Sequence, residues 1–188
     1  MRERPPAGPP VAAYLMGFYL AGDYAESDLY ACFVQDEECQ LEPICQDDFM
    51  LLFTRKEHLE AVMEGAGIDA GLLKRDETAL YQVSWAVHII EEEAEDTGCF
   101  VVNLINMLDD VLWRTKVPIP ERKYKPLFDL ADHLTFSADV EGYFRDNTVI
   151  RTDCADALLW MIGTAFTHST FYIPDVTIVQ AHDSVVGQ

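Results

Sequence analysis

Residues 47–67 read DDFMLLFTRKEHLEAVMEGAG, and this stretch decides the fold class. Phe49 to Phe53 (FMLLF) is a short apolar run opened by Asp47-Asp48. A run of that length, bounded by turn residues, reads as a buried strand. Thr54 follows, and Glu57 stands three residues later. That spacing is a capping box, in which the Thr hydroxyl meets an orphan N–H and the Glu reaches back to the cap. It predicts a helix from Arg55 to Glu64, with Leu59, Val62 and Met63 facing the core and Gly65 and Gly67 ending it. A strand running straight into a helix places the chain in a mixed class.

Upstream, Leu29 to Val34 (LYACFV) reads as a second strand and the acidic stretch Gln35 to Glu42 as a loop. Residues 11–22 fit a helix or a strand, with Gly17 weakening both. Residues 1–10, with Pro5, Pro6, Pro9 and Pro10, read as a flexible tail. Downstream, residues 76–97 carry two periods. Tyr81, Val83, Trp85, Val87 and Ile89 alternate, whereas Leu80, Val83, Val87, Ile90 and Ala94 follow helical spacing. Asp76 as N-cap and Gly98 as stop favour a helix, although Glu91, Glu92, Glu93, Glu95 and Asp96 then sit at the negative end of its dipole. Cys99 to Ile105 (CFVVNL, then Ile) reads as a short strand passing into a helix near Asn106; Val101, Leu104, Ile105, Leu108, Val111 and Leu112 also share one helical face. Pro118 and Pro120 mark a loop, and Pro126 to Leu134 a short amphipathic helix opened by its proline. Thr148 to Arg151 reads as a strand, Asp153 as the cap of a helix to about Phe166, and Val176 to Val179 as a last strand. The expectation is α+β: one compact domain over 11–188, with a mixed sheet and several helices behind a flexible Pro-rich tail.

The 188 residues carry 33 acids against 13 Lys and Arg, a formal charge of −20. Such a surface repels phosphate backbones and anionic lipid, so neither direct nucleic-acid binding nor membrane binding is expected. The acids come in blocks. No Lys or Arg lies between Arg4 and Arg55, a gap that holds Asp36, Glu37, Glu38, Glu42, Asp47 and Asp48. None lies between Arg75 and Arg114, a gap that holds Glu91, Glu92, Glu93, Glu95 and Asp96. By contrast, Arg114, Lys116, Arg122, Lys123 and Lys125 are crowded together, and fit either phosphate binding or pairing with those acids. A single-sign field steers basic partners, so these eleven acids are the candidate contacts for a basic protein partner. A merely solvated acidic face is the plainer alternative.

Arg2 and Arg4 precede an apolar run, Val11 to Gly22, but prolines separate them and the run is aromatic, which speaks against a secretory signal. Ala157 to Ile173 nears spanning length yet holds Thr164, Thr167, His168, Ser169 and Thr170, so it reads as a buried helix. Cys32, Cys39, Cys45, Cys99 and Cys154 are odd in number and irregular in spacing, which points to reduced thiols and a cytoplasmic setting. His88 with Glu91, Glu92 and Glu95 could line one helix flank as metal ligands, and Cys154 at a helix start could be an activated thiol with His133 or His168. Against them stand a solvated face and a buried structural cysteine. Zinc, P-loop, Rossmann and nucleophile-elbow patterns are absent, and neither a cofactor nor a metal is expected. Tyr14, Phe18, Tyr19, Tyr24 and Tyr30 read as a core face or the lining of a groove.

LYACFV, PICQDDFMLLFTRKEHLEA and CFVVNL together resemble the N-terminal domain of SseB-type (enhanced serine sensitivity) proteins, over residues 29–105. The chain departs from that pattern at Asn103-Leu104-Ile105, where a glycine and a proline would follow the asparagine. The resemblance implies an α+β, cytosolic, non-enzymatic protein. Two other readings stand beside a basic-partner binder: an enzyme or small-molecule or metal binder with an unrecognised pocket, and a scaffold subunit.

Overall fold

The computed structural model describes residues 8–19, 27–92, 98–137, 139–145 and 148–174, without the side chains of 75–80, 84, 91, 92, 98 and 148. The fold is α+β, and the described residues form seven strands in one mixed sheet. Strands β1 (Pro10–Tyr19) and β2 (Leu29–Asp36) pair antiparallel, with Leu15 opposite Cys32 and Phe18 opposite Leu29. The segment 11–22, open between helix and strand in the sequence, is thus a strand as far as Tyr19. β1 opens at Pro10, inside the stretch read as a tail, and Gly8 already hydrogen-bonds to Asp36. β3 (Leu41–Pro43) folds back on β2, so the acidic loop is a tight hairpin turn of residues 37–40. β4 (Cys45–Gln46) and β5 (Phe49–Phe53) form a second hairpin around Asp47-Asp48, and β5 joins β2.

A 3₁₀ turn (Lys56–His58) and α1 (Leu59–Gly65) follow. Leu59, Val62 and Met63 are buried as their spacing predicts. The capping box is not made: no side-chain cap bond forms at Arg55 or His58, and the tighter 3₁₀ turn starts the helix instead. Gly67 takes the left-handed φ of 70° that ends the segment.

Residues 76–97 divide where their two periods compete. β6 (Leu73–Gln82) lies parallel to β1, and α2 (Val83–Glu92) begins at once. Asp76, expected as an N-cap, therefore lies inside a strand and not at a helix start. α3 (Gly98–Arg114) replaces the strand expected at Cys99 to Ile105, and Gly98 opens this helix rather than stopping the last. All six residues of its predicted helical face, from Val101 to Leu112, are buried. α4 (Glu121–Phe136) begins five residues before Pro126, which lies inside it. After the short α5 (Val140–Phe144), α6 (Thr148–Thr167) takes in the segment read as a strand, so Asp153 is an interior residue and not a cap. β7 (Ser169–Phe171), unforeseen in the sequence, lies parallel to β5. The strand expected at Val176 to Val179 lies outside the described residues.

The sheet is covered on both faces, so β1, β2 and β5 read as largely apolar runs without alternation. Ala13, Leu15, Tyr30, Cys32, Leu51 and Phe53 face α1. Their neighbours Met16, Phe18, Ala31, Phe33, Met50 and Leu52 face the helical layer of α2, α3, α4 and α6. Each fully buried Leu or Phe side chain contributes about 1.5–3 kcal/mol. No helix among the described residues is long and apolar enough to cross a membrane.

Candidate functional site

The acidic block 36–48 sits on the two hairpins. Asp36 organises the first. Its Oδ2 accepts the Gly8 N–H at 3.0 Å, and its Oδ1 accepts those of Glu38 at 3.0 Å and Gln40 at 2.9 Å. These bonds, Gly8's foremost, hold its carboxyl below the usual range against the opposing effect of burial. With 6% of its surface exposed, Asp36 serves the turn and presents no carboxylate to a partner. It fixes in place Glu37, Glu38 and Cys39, all exposed, with Cys39 at a left-handed φ of 63°. At the second tip Asp47 and Asp48 are exposed, and Asp47 has φ 54°.

The basic cluster comes to this block. Arg114 Nε lies 3.4 Å from Glu42 Oε2, whose side chain is only 15% exposed, and Lys116 Nζ lies 2.7 Å from Asp48 Oδ1. Of the two uses the sequence left open for these cations, internal pairing is the one observed at both. Lys116 reaches Asp48 from the end of α3. Its N–H bonds to the Trp113 carbonyl at 3.1 Å and the Val117 N–H to that of Leu112 at 2.8 Å. This is a Schellman ending, with Lys116 at φ 60° in the position usually held by glycine. Lys125 pairs with Asp129, and Lys123 Nζ donates to the Asp156 carbonyl.

The structure therefore sorts the eleven candidate acids. Asp36, Glu42 and Asp48 have internal partners, Asp47 is engaged as well, and Glu37 and Glu38 stand exposed at the first hairpin tip. Glu91 and Glu92 end α2, with side chains outside the described set, and Glu93, Glu95 and Asp96 lie outside the described residues altogether. The His88 flank cannot be assembled for the same reason, although His88 itself is exposed. Among the described residues no group of three or more His, Cys, Asp or Glu is placed to hold a metal ion.

Cys154 is not an activated thiol. It sits in the seventh position of α6, fully buried, and its Sγ–H donates to the Pro126 carbonyl at 3.2 Å. Burial, with Asp153 and Asp129 nearby, pushes the thiol up to about 12. Burial likewise lifts Cys32 to about 12 and Cys45 to about 11. The N-terminal aromatics are core rather than groove where they are described: Phe18 and Tyr30 are buried, while half-buried Tyr14 donates its hydroxyl to Gln35 Oε1 at 3.0 Å.

One concave feature escaped the sequence reading. A cleft of about 460 Å³ opens between α4, α5 and α6, lined by Arg122, Lys125, Pro126 and Asp129, by Tyr143, and by Ile150 and Asp153, with Glu121 at its end. Tyr143 is placed by the cap of α5, where Asp139 Oδ1 accepts the Gly142 N–H at 2.7 Å. A Cβ at Gly142 would come within 2.1 Å of the other Asp139 oxygen, so the cap in this form requires glycine. Burial holds the Tyr143 hydroxyl above its usual value, with Cys154 and Asp129 adding to the effect. Arg122, Lys125 and Asp153 were visible as charges, but only the fold brings them to one cleft.

No family model matches the chain, and no curated protein matches it. Among solved structures, the chain is similar in fold to the SatS C-terminal domain, described as a crystal structure in complex with bromine. The TM-score is 0.50 at 7% identity, over 86% of this chain and 95% of that one. At that identity the likeness concerns the fold alone.

Proposed function

We propose that this chain is a non-enzymatic binding protein that docks a basic segment of a partner protein on its acidic hairpin tips. The observation that carries the reading is the rigid display of Glu37 and Glu38 on a tight turn, beside the exposed second hairpin tip, in a chain of charge −20. Asp36 holds one turn from within, so those side chains are presented without much ordering cost on binding. The second acidic block, 91–96, extends the same field in this proposal. The net charge argues against nucleic acid as the partner. All five cysteines are free thiols, Cys39 and Cys99 at the surface, which supports a reducing, cytoplasmic setting. The resemblance of residues 29–105 to the SseB-type domain belongs to the same proposal, since it implies a non-enzymatic protein.

The test is stopped-flow association with a labelled nona-arginine peptide. The association rate should fall steeply between about 20 mM and about 300 mM salt. Replacing Glu37 and Glu38 by Gln together should lower it further at low salt. Association that ignores both salt and the double substitution would overturn the reading.

A further inference from the structure

The cleft between α4, α5 and α6 is lined by apolar groups and by charges of both signs. Pro126, Ile150 and Tyr143, each half-buried, supply the apolar lining. Lys125 is neutralised by Asp129 on the next turn of α4. Arg122 on α4 makes no ion pair with any described residue, and Asp153 on α6 makes none either. Both line the same space, yet they do not approach each other within the 4.0 Å of a salt bridge. The cleft is thus lined by a guanidinium from α4 and a carboxylate from α6 that are not paired with each other. Arg122 lies in the first turn of the 16-residue α4, where the helix dipole favours an anion.

A ligand that satisfies both charges carries a carboxylate and an ammonium on one small frame, with an apolar substituent for the apolar lining. The volume falls in the range of small-molecule sites, roughly 300–1,000 Å³. We propose that this cleft binds a small zwitterion of the α-amino-acid class with an apolar side chain, its carboxylate on Arg122 and its ammonium on Asp153. This proposal is independent of the hairpin tips and of any basic protein partner.

Calorimetric titration of the full chain tests it with three compounds: L-phenylalanine, L-phenylalaninamide, which lacks the carboxylate, and N-acetyl-L-phenylalanine, which lacks the ammonium. Phenylalanine should bind saturably, and each analogue at least about tenfold more weakly, since each leaves one charged hydrogen-bonding group unmatched. Arg122→Gln should remove the preference for phenylalanine over its amide, and Asp153→Asn the preference over the N-acetyl form. Both residues are exposed, and an unchanged melting temperature would show that the variants fold. If either variant unfolds, the analogue series on the parent protein decides alone. No saturable heat with phenylalanine, equal affinity for all three compounds, or full discrimination in both variants would overturn the proposal.

Discussion

Lys116 shows how a single residue can be at odds with its backbone and still be useful. Its left-handed φ is costly for a residue with a Cβ, and its ammonium reaches Asp48 from that position. Both side chains of the pair are more than half exposed, so the pair contributes no more than about 0.5–1 kcal/mol. Lys116→Gly relieves the backbone by about the same amount and should leave the urea midpoint level or slightly raised. Lys116→Val should lower stability by about 1–2 kcal/mol, because a β-branched residue tolerates that φ worst. Equal losses in the two variants would mean that the ion pair, not the backbone, sets the stability. Asp36 carries a pH signature. Its folded carboxyl titrates below the unfolded value, so its contribution is complete above that value and is lost as pH falls through the folded one. Asp36→Asn should therefore show a shallower loss of stability below about pH 4 than the parent. Identical acid limbs would rule out a role for Asp36 in that loss.

At the scale of elements, the sequence was most legible where one period ruled. LYACFV and FMLLF are strands, and Leu59, Val62 and Met63 form a helix face, because each run had a single reading. Residues 76–97 misled because neither set of apolar positions marked the change at Gln82-Val83: the alternating set runs from Tyr81 on through α2, and the helical set starts at Leu80 inside β6. CFVVNL looked like a strand because it is short, apolar and partly β-branched, and tertiary packing overrode that propensity. The contest can be checked at Asn103, an exposed position within α3. Asn103→Ala should stabilise the protein by about 0.5 kcal/mol by helix propensity, whereas a loss would be out of line with a helix there. α6 was misplaced at its start because it is apolar on most sides and lacks the amphipathic stripe that marks a helix. Its burial of Cys154 has a chemical readout. In the native state Cys39 and Cys99 should react rapidly with a thiol reagent, Cys45 slowly, and Cys32 and Cys154 only after unfolding. Rapid labelling of Cys154 would contradict its place in the core. The cleft could not be read at all, since α4, α5 and α6 each supply part of it.

For the whole molecule, the field of −20 sets the behaviour, because 33 acids face only 13 Lys and Arg. The internal pairs Arg114–Glu42 and Lys116–Asp48 relieve only one corner of it. Self-repulsion should therefore dominate the salt response, and the melting temperature should rise from about 20 mM to about 300 mM sodium chloride as charges are screened. A fall would mean that the internal pairs outweigh the repulsion. The parallel pairing of β7 with β5 has a different kind of consequence, one of time. Met50 lies beside Ser169, so this contact closes a loop of roughly 120 residues, and contacts that distant in sequence form slowly. As the chain is synthesised, β1, β2 and β5 emerge early, while the strand that covers the open edge of β5 emerges only after α1 to α6. During that interval an apolar, unpaired strand edge awaits its neighbour, as such edges do when they seed association between chains. The nascent protein is thus most exposed to misassembly not at its start but in the stretch of synthesis just before Ser169 appears.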